Sequence, residues 1–514
     1  MTVGKKAAQF HGRDAKMRLH QLIHSFDASI DCSHLPDVEV TGVEEDSRRV
    51  QPGSVFVARP GTQTDGAKYV ADAAQRGAIA VVCETPIDPC PLPQVIVPCA
   101  AAAASVLAGK FHGEPSRSVK VLGITGTNGK TTTAYLVRHL LASAGIKCGL
   151  VGTVQIDDGR RVVEAAMTTP AAGDVAALLA AMRDNGCRAC AIEVSSHALH
   201  QRRVDGISFA AAAFTNLTGD HLDYHQTMDA YADAKGMLFA MLPRDAVAIV
   251  NGEDAWADRV LGNCQARVVR FGFGAGCDYS ARDVAVTSRG TNFVLVTPDG
   301  QTPVHMQLIG RHNIENALAA VALVGETFGL SVHQIAAALR DAQGAPGRLQ
   351  AVRVGQPFAV LVDYAHTDDA LENVLTALKP LTKGKLRVMF GCGGDRDRTK
   401  RPRMARVAER LADVVYITSD NPRTEDPQQI IRDIVAGLSN PADAIVEPDR
   451  RKAINRIIAD AEDNDIVLLA GKGHENYQIL GKTKCPFDDV EEATRAVERR
   501  LHRRDAEVAE KSPS

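Results

Sequence analysis

The 514-residue chain is poor in aromatic side chains, which make up 4% of it with a single Trp. Its cores must therefore be built from Ala, Val, Leu and Ile, and a hydrophobic content of 45% suffices for several of them. Long apolar runs are also missing. None approaches the ~18 residues that span a bilayer. The N-terminal MTVGKKAAQFHGRDAKMRLHQ carries charge without the apolar stretch of a secretory signal. Neither sign of charge dominates: 59 Lys and Arg against 62 Asp and Glu leave -3. That balance excludes a binder that holds nucleic acid mainly by electrostatics. Eleven cysteines are scattered, and the one C-x-x-C, Cys187 with Cys190, has no second pair to complete a zinc site. Packed thiols in a reducing compartment are expected, hence a cytoplasmic protein. No internal repeat is seen, and the polar tail RRDAEVAEKSPS is expected to fray.

What is present divides the chain into about three domains, at ~100–200 residues each. Residues 35–110 mix short apolar runs with turns and suit a small α/β domain. FHGEPSRS at 111–118 has linker composition. From Val119 strands and helices alternate: strand VKVLGIT, helix KTTTAYLVRHLLASAG, helix AAGDVAALLAAMRDNG, strands RACAIEVSS and FAAAAFTNLT. This pattern predicts a parallel, doubly wound sheet. Residues 280–309 alternate around a PDG turn and suggest an antiparallel insert. RHNIENALAAVALVGETFG reads as a long helix. After GAPGRLQ at 344–350 a second α/β series begins. The expected fold class is α/β in three domains: 1–117, small; 118–346, a central P-loop domain; and 347–514, a Rossmann-like domain.

The stretch TGTNGKTTT, Thr125 to Thr133, joins a predicted strand to a predicted helix. Phosphates bind where backbone N–H groups converge at a helix N-terminus and glycines permit close approach. The loop departs from GxxxxGK[ST], because Ile124 stands where the first Gly belongs. Its parts are nevertheless complete: Gly126, Thr127, Asn128 and Gly129 for the turn, Lys130 for the β/γ-phosphates of ATP, and Thr131, followed by Thr132, for Mg2+. Glu193 in EVSSHAL closes a predicted strand, the end at which open α/β sheets bind ligands. Its hard oxygens suit Mg2+. FTNLTGDHLDYH brings Asp220, His221, Asp223 and His225, and the helix after it brings Lys235. Taken alone, the two histidines fit capping or packing equally well, and a cationic lysine cannot ligate a metal.

GITGTNGKTTT together with Glu193, His221 and Lys235 resembles the Mur ligase superfamily, the amide-forming ligases of peptidoglycan and folate metabolism. The resemblance covers the chain from about residue 20 to 500. It implies that Glu193 and His221 hold a second Mg2+ and that Lys235 carries CO2 as a carbamate, N6-carboxylysine. Lys130, Glu193, His221 and Lys235 are then the catalytic set, with Thr131 also at the metal. Asn313 in GRHNIENAL, Arg348 in GAPGRLQ, and Asp363 and His366 in VDYAHTDDAL resemble nucleotide-binding positions. The family commonly has Pro where Asp368 stands, at a helix start where Asp is also favourable.

Further stretches narrow the resemblance. DSRRVQPGSVFVARPGTQTDG, with Ser47 and Arg48, is similar to the domain that binds UDP-N-acetylmuramoyl substrates. MTTP (Thr168, Thr169) and SSHALHQRR (Ser195, Gln201, Arg203) resemble the segments that hold such a substrate in the ligases adding the third residue. SDNPRTEDP supplies Asp420, Asn421, Pro422 and Arg423, and DNPR resembles the signature of ligases taking meso-diaminopimelate rather than L-lysine. Arg396, Gly471 and Glu475 complete that set. A guanidinium grips the distal carboxylate of diaminopimelate in a bidentate way, and lysine would leave Arg423 unpaired. Such a site rejects the analogue by ~10⁴–10⁵. The expected reaction is ATP-dependent acid–D-amino-acid ligation through an acyl phosphate, adding meso-2,6-diaminopimelate to UDP-N-acetylmuramoyl-L-alanyl-D-glutamate. Its partners are small-molecule substrates, with neither nucleic acid nor membrane, and the expected state is a monomer. Because acyl phosphates hydrolyse, domain closure that excludes water is also expected. A ligase of the superfamily adding L-lysine or D-Ala-D-Ala, and a P-loop protein without catalysis, remain as alternatives.

Overall fold

The computed structural model describes residues 17–61, 65–287 and 290–511, with side chains to 503. The chain divides into two compact units. One comprises 1–282, 295–302 and 315–338; the other comprises 283–294, 303–314 and 339–514.

The first unit begins with a four-stranded parallel sheet, Gly42–Glu44, Ser54–Val57, Ala80–Cys83 and Gln94–Ile96, in chain order. Helix Ala100–Phe111 packs its buried alanines and Leu107 against it. The expected linker 111–118 is packed instead. Pro115 and Ser116 are buried in a short helical turn, and Ser116 Oγ accepts from Ser208 N at 3.0 Å. A polar hydroxyl and a proline suit such a buried turn because each of their polar groups finds a partner.

The central sheet runs Val162–Glu164, Gln155–Asp157, Cys148–Val151, Ala189–Glu193, Lys120–Thr125, Phe209–Phe214, Val247–Asn251 and Arg267–Gly272. From Cys148–Val151 onward its pairs are parallel. Its buried strands read as continuous apolar runs because helices cover both faces. Lys120–Thr125 is flanked by Ala189–Glu193 and Phe209–Phe214, so the ends of these three strands converge where the order reverses, the place such sheets bind ligands. The stretch 280–309 forms three successive strands, Tyr279–Thr287, Gly290–Thr297 and Gly300–Met306, neighbours in the order expected for hairpins.

The second unit carries the sheet Gln350–Val352, Ala359–Asp363, Ile466–Ala470, Leu386–Phe390, Val414–Ile417 and Ile445–Val446. It is parallel apart from its first pair. Asp363, Asp420 and Gly471 all sit at or just past the C-terminal ends of its strands. Asp368 opens helix Asp368–Leu378 behind the Thr367 cap, as its acidic character favours. The tail expected to fray is helical to Lys511. Its Ala, Glu and Arg are strong helix formers, and Ala493 and Val497 anchor the helix in the core. Cys187 and Cys190 are buried free thiols. Among the described residues no helix is long and apolar enough to cross a membrane.

Candidate functional site

The phosphate loop turns between strand Lys120–Thr125 and helix Lys130–Ser143. Gly126 and Gly129 hold φ of 144° and 87°. A Cβ at the first would strike Thr215 Oγ1, and at the second Asn316 Oδ1. Only glycine lets the backbone take this path. Thr127 N donates to Asn216 O at 2.8 Å and Asn128 N to Asn216 Oδ1 at 2.9 Å, which tie the loop to the segment after the neighbouring strand. The first N–H groups of the helix, around Thr131 and Thr132, lack intrahelical acceptors and form an anion cradle. Lys130 folds back over it, with Nζ donating to Gly126 O (2.8 Å) and Thr127 O (2.7 Å).

Glu193 is the hub. It closes its strand with 1% exposure. Its Oε2 accepts from Thr131 Oγ1 at 2.9 Å and from Thr153 Oγ1 at 3.0 Å, and its Oε1 accepts from Thr153 N at 2.9 Å. Thr168 Oγ1 lies 3.1 Å from Thr153 Oγ1. Thr169 Oγ1 donates to Glu193 O at 2.8 Å and accepts from Ser195 N at 3.1 Å. Ser195 Oγ caps the next short helix through Ala198 N. Arg203 Nη1 donates to Thr169 O at 2.9 Å, and its Nη2 donates to Gln201 Oε1 at 2.6 Å. Thr168, Thr169, Ser195, Gln201 and Arg203, drawn from two segments whose bonded residues are 26 and 34 positions apart, thus form one network hung on Glu193. Thr153, which joins both halves, was not singled out from sequence; its context GTVQ carries no phosphate or metal signal.

Lys235 is buried beside the loop, with 1% exposure, and its Nζ donates to Gly126 O at 2.8 Å. The Tyr231 ring lies 4.3 Å from that nitrogen. Burial first, and then the Lys130 cation, hold the Lys235 amine well below its usual range, against an opposing pull from Asp220. His221 is exposed, and its ring meets His197 edge-on at 4.9 Å and Tyr231 at 6.1 Å. His225 is buried against Ser196 Oγ (3.0 Å) and stacked on Tyr231, and burial followed by His197 pushes it down to about 4. Of the two histidines it is therefore the packing one.

No group of three or more His, Cys, Asp or Glu draws together among the described residues as a metal cage. The oxygens of Thr131 and Glu193, 2.9 Å apart at the helix start, fit Mg2+, which takes one or two protein oxygens and completes its shell with phosphates and water.

Ser47 and Arg48 lie on the helical turn Ser47–Arg49. Ser47 is buried, while Arg48 is exposed and paired with Asp46 at 2.6 Å. The adjacent Arg49 bridges Glu44 (3.2 Å) and Asp174 (2.8 Å) at the start of helix Ala172–Asp184, joining the small sheet to the central one. Asn313 opens helix Arg311–Phe328, with Nδ2 donating to Ile309 O at 2.8 Å. The asparagine against Gly129 is Asn316, one turn further on, which sequence reading missed.

In the second unit Asp363 is buried and accepts from Leu349 N (2.7 Å) and Ala365 N (2.8 Å). Burial raises its carboxyl above the usual range, partly offset by Arg348. Arg348 lies over the Tyr364 ring at 5.1 Å, and its Nε is buried without a hydrogen bond. His366 Nδ1 meets Tyr364 O at 2.9 Å, and burial lowers its pKa.

The DNPR segment is pinned from all sides. Asn421 Nδ2 donates to Glu475 Oε2 at 2.8 Å, and Asn421 Oδ1 accepts from Ile479 N at 2.9 Å. Pro422 O presses on Gly394, where a side chain would not fit. Arg423 stands at φ 53°, held by its N–H to Ile479 O (3.1 Å) and by Nη1 to Gly394 O (2.8 Å). Arg396 is exposed and donates to Asp395 O, and Gly471 turns at φ 111°. Asp420, Asn421, Arg423 and Glu475 are thereby one cluster. Lys472, at its centre, was not singled out from sequence.

Comparison with known proteins adds three domain matches: Mur ligase middle domain over 124–324, the glutamate ligase domain of Mur ligases over 347–473, and Mur ligase family, catalytic domain, over 39–104. A relative from Synechococcus elongatus, named UDP-N-acetylmuramoyl-L-alanyl-D-glutamate–2,6-diaminopimelate ligase, is 46% identical over 478 residues, 90% of this chain and 95% of its own. A solved structure under the same name superposes with a TM-score of 0.72 at 32% identity, covering 95% of this chain and all of that one. The folylpolyglutamate synthase of Mycobacterium tuberculosis, solved with ADP and AMPPCP, shares the fold at a TM-score of 0.58 and 20% identity, over 77% of this chain and 93% of its own. With near full-length identity of this order and family matches over residues 39–104, 124–324 and 347–473, the chain belongs to the Mur ligase family.

Proposed function

We propose that the chain joins meso-2,6-diaminopimelate to UDP-N-acetylmuramoyl-L-alanyl-D-glutamate at the expense of ATP, in peptidoglycan precursor synthesis. The observation that carries this reading is the Glu193 network. The Glu193 carboxylate takes the phosphate-loop Thr131 and, through Thr153, reaches Thr168 of MTTP, while its main-chain carbonyl takes Thr169, to which Ser195 is bonded, so nucleotide and phosphoryl acceptor are served from a single hub.

In this reading the γ-phosphate of ATP sits on the N–H groups around Thr131, and Lys130 turns from the loop carbonyls to phosphate oxygens. Thr131 and Glu193, with His221 and a carbamylated Lys235, would hold Mg2+, which would supply charge neutralisation at the phosphates. Thr168, Thr169, Ser195, Gln201 and Arg203 orient the dipeptide so that its D-glutamate γ-carboxylate attacks the γ-phosphorus. ADP leaves and an acyl phosphate remains. The amine of diaminopimelate then attacks the acyl carbon, loses a proton, and phosphate departs to leave the amide. Arg423 and Asn421 receive the distal carboxylate and Glu475 the distal ammonium. Asn313, Arg348, Asp363 and His366 serve the nucleotide, and Ser47 and Arg48 the UDP end. The reading includes a three-domain division at 117/118 and 346/347, a monomer, and a cytoplasmic location.

The test is phosphate release from ATP with Mg2+ and the UDP-linked dipeptide, comparing meso-diaminopimelate with L-lysine. Release with diaminopimelate alone is expected. Release with lysine alone would keep the chemistry and remove the role given to Arg423. Silence with both would remove the reading.

A further inference from the structure

The lysine of GKGHE is fully buried, at 0% exposure. Lys472 Nζ stands 3.1 Å from Asp420 Oδ1, 3.1 Å from Asn421 Oδ1 and 3.7 Å from Glu475 Oε2, and donates to Tyr477 O at 2.7 Å. It therefore touches both acidic members of the cluster and the asparagine between them, and it has no exposed surface with which to meet a substrate. A buried ammonium is costly unless matched, and here the match is two carboxylates that the proposed reaction needs.

The charges around it can be counted. Arg450, also fully buried, is neutralised by Asp489 at 2.6 Å. Arg401 is taken up by Glu425 (2.9 Å) and Asp433 (2.8 Å). Arg396 is exposed. Arg348 is set against the buried Asp363, burial lowers the pKa of His366, and Lys400 bonds to His366 O on the exposed side. What remains around Lys472 is Asp420 and Glu475 against Lys472 itself and Arg423, a balanced set. Burial and Asp420 push the Glu475 carboxyl upward while Lys472 opposes them, so the ammonium also helps keep Glu475 ionised.

We propose that Lys472 is a specificity-determining positioning residue: it brings the amino-acid site to zero net charge and thereby favours diaminopimelate, a zwitterion without net charge, over L-lysine, which carries one excess positive charge. This rests on the diaminopimelate reading above. It adds to that reading a second source of discrimination. Arg423 recognises the distal carboxylate directly, whereas Lys472 acts through Asp420, Asn421 and Glu475 and penalises an uncompensated cation.

The experiment measures kcat/KM for meso-diaminopimelate and for L-lysine in the full-length wild type, Lys472→Met, Asp420→Asn and the double variant, at alkaline pH so that Glu475 stays ionised. Lys472→Met leaves one negative charge in excess, and the diaminopimelate-to-lysine ratio should fall by about tenfold or more. Asp420→Asn leaves one positive charge in excess and should move the ratio the other way. The double variant restores the balance and should return the ratio toward wild type. A merely structural lysine would lower both substrates in the same proportion and leave the ratio unmoved, which would overturn the inference. Should Lys472→Met fail to fold, the opposite shift in Asp420→Asn alone decides, since an unmoved ratio there overturns it equally. A wild type inactive with diaminopimelate would instead defeat the function from which the inference starts.

Discussion

Glu193→Gln separates the two jobs of the hub. The amide has the shape of the carboxylate, which matters because the space is tight: a Cβ on Gly152 would already collide with Glu193 Oε1. Its oxygen keeps the bond from Thr153 N. The hydroxyls of Thr131 and Thr153, which donate to Oε2 at 2.9 and 3.0 Å, can rotate and accept from the new amine instead. The cost to folding should therefore be about 1 kcal/mol, a shift in Tm of no more than about 4 °C for a chain of this size. Chemistry should suffer far more. Unit charges 4 Å apart interact by about 4 kcal/mol at an effective dielectric of ~20, and water replacing the ligand recovers part of this. A net loss of roughly 2–3 kcal/mol corresponds to about a hundredfold drop in kcat/KM, with a raised Mg2+ requirement. Phosphate release across a Mg2+ titration, beside a thermal melt, reads both quantities. Equal activity at equal Mg2+ would mean that Glu193 only anchors Thr153 and the loop.

Three more perturbations test other parts. Lys235→Arg keeps a long basic side chain but cannot form a carbamate; the protein should fold and lose at least about a hundredfold in turnover, and wild-type activity should depend on CO2 in depleted buffer, which a bicarbonate titration checks. Arg423→Lys keeps the charge and loses the planar fork, so KM for diaminopimelate should rise about tenfold or more while KM for ATP stays put. Glu425, held at about 2 chiefly by hydrogen bonds from the buried Arg401, contributes stability that is present above its unfolded value near 4.5 and is lost as pH falls through about 2. Urea melts at pH 7 and below 4 should show that loss in the wild type and a smaller one in Glu425→Gln.

The strands of both large sheets were legible because they are short apolar runs punctuated by Gly, Asp and Asn, and the ends of those runs carried Glu193, Asp363 and Asp420. Pairing across the sheet was not legible. That Thr153 and Thr168 meet at Glu193 depends on the order of strands in space; Tyr231 and Lys235, by contrast, meet as an i,i+4 pair on helix Met228–Ala240. Asn313 and Asn316 differ by one helical turn, and only the packing against Gly129 distinguishes them. Lys472 shows a limit of another kind. Composition marks a lysine as solvated, and only the convergence of Asp420, Asn421 and Glu475 makes burial tolerable. The tail misled through its polarity, since it is helical by propensity and by the anchor of Ala493 and Val497.

The carbonyl of Gly126 accepts from Lys130 and Lys235 at once. In the proposed reaction one oxygen then couples the amine assigned to phosphate to the amine assigned to CO2. When nucleotide draws Lys130 away, Lys235 loses a competitor for that acceptor and a repelling neighbour; when Lys235 turns anionic, it attracts Lys130. Thermodynamic linkage makes the two events reciprocal: whatever factor nucleotide applies to carbamate occupancy, CO2 must apply to nucleotide affinity. Dissolved CO2 would then act on this protein as a ligand that tunes its hold on ATP.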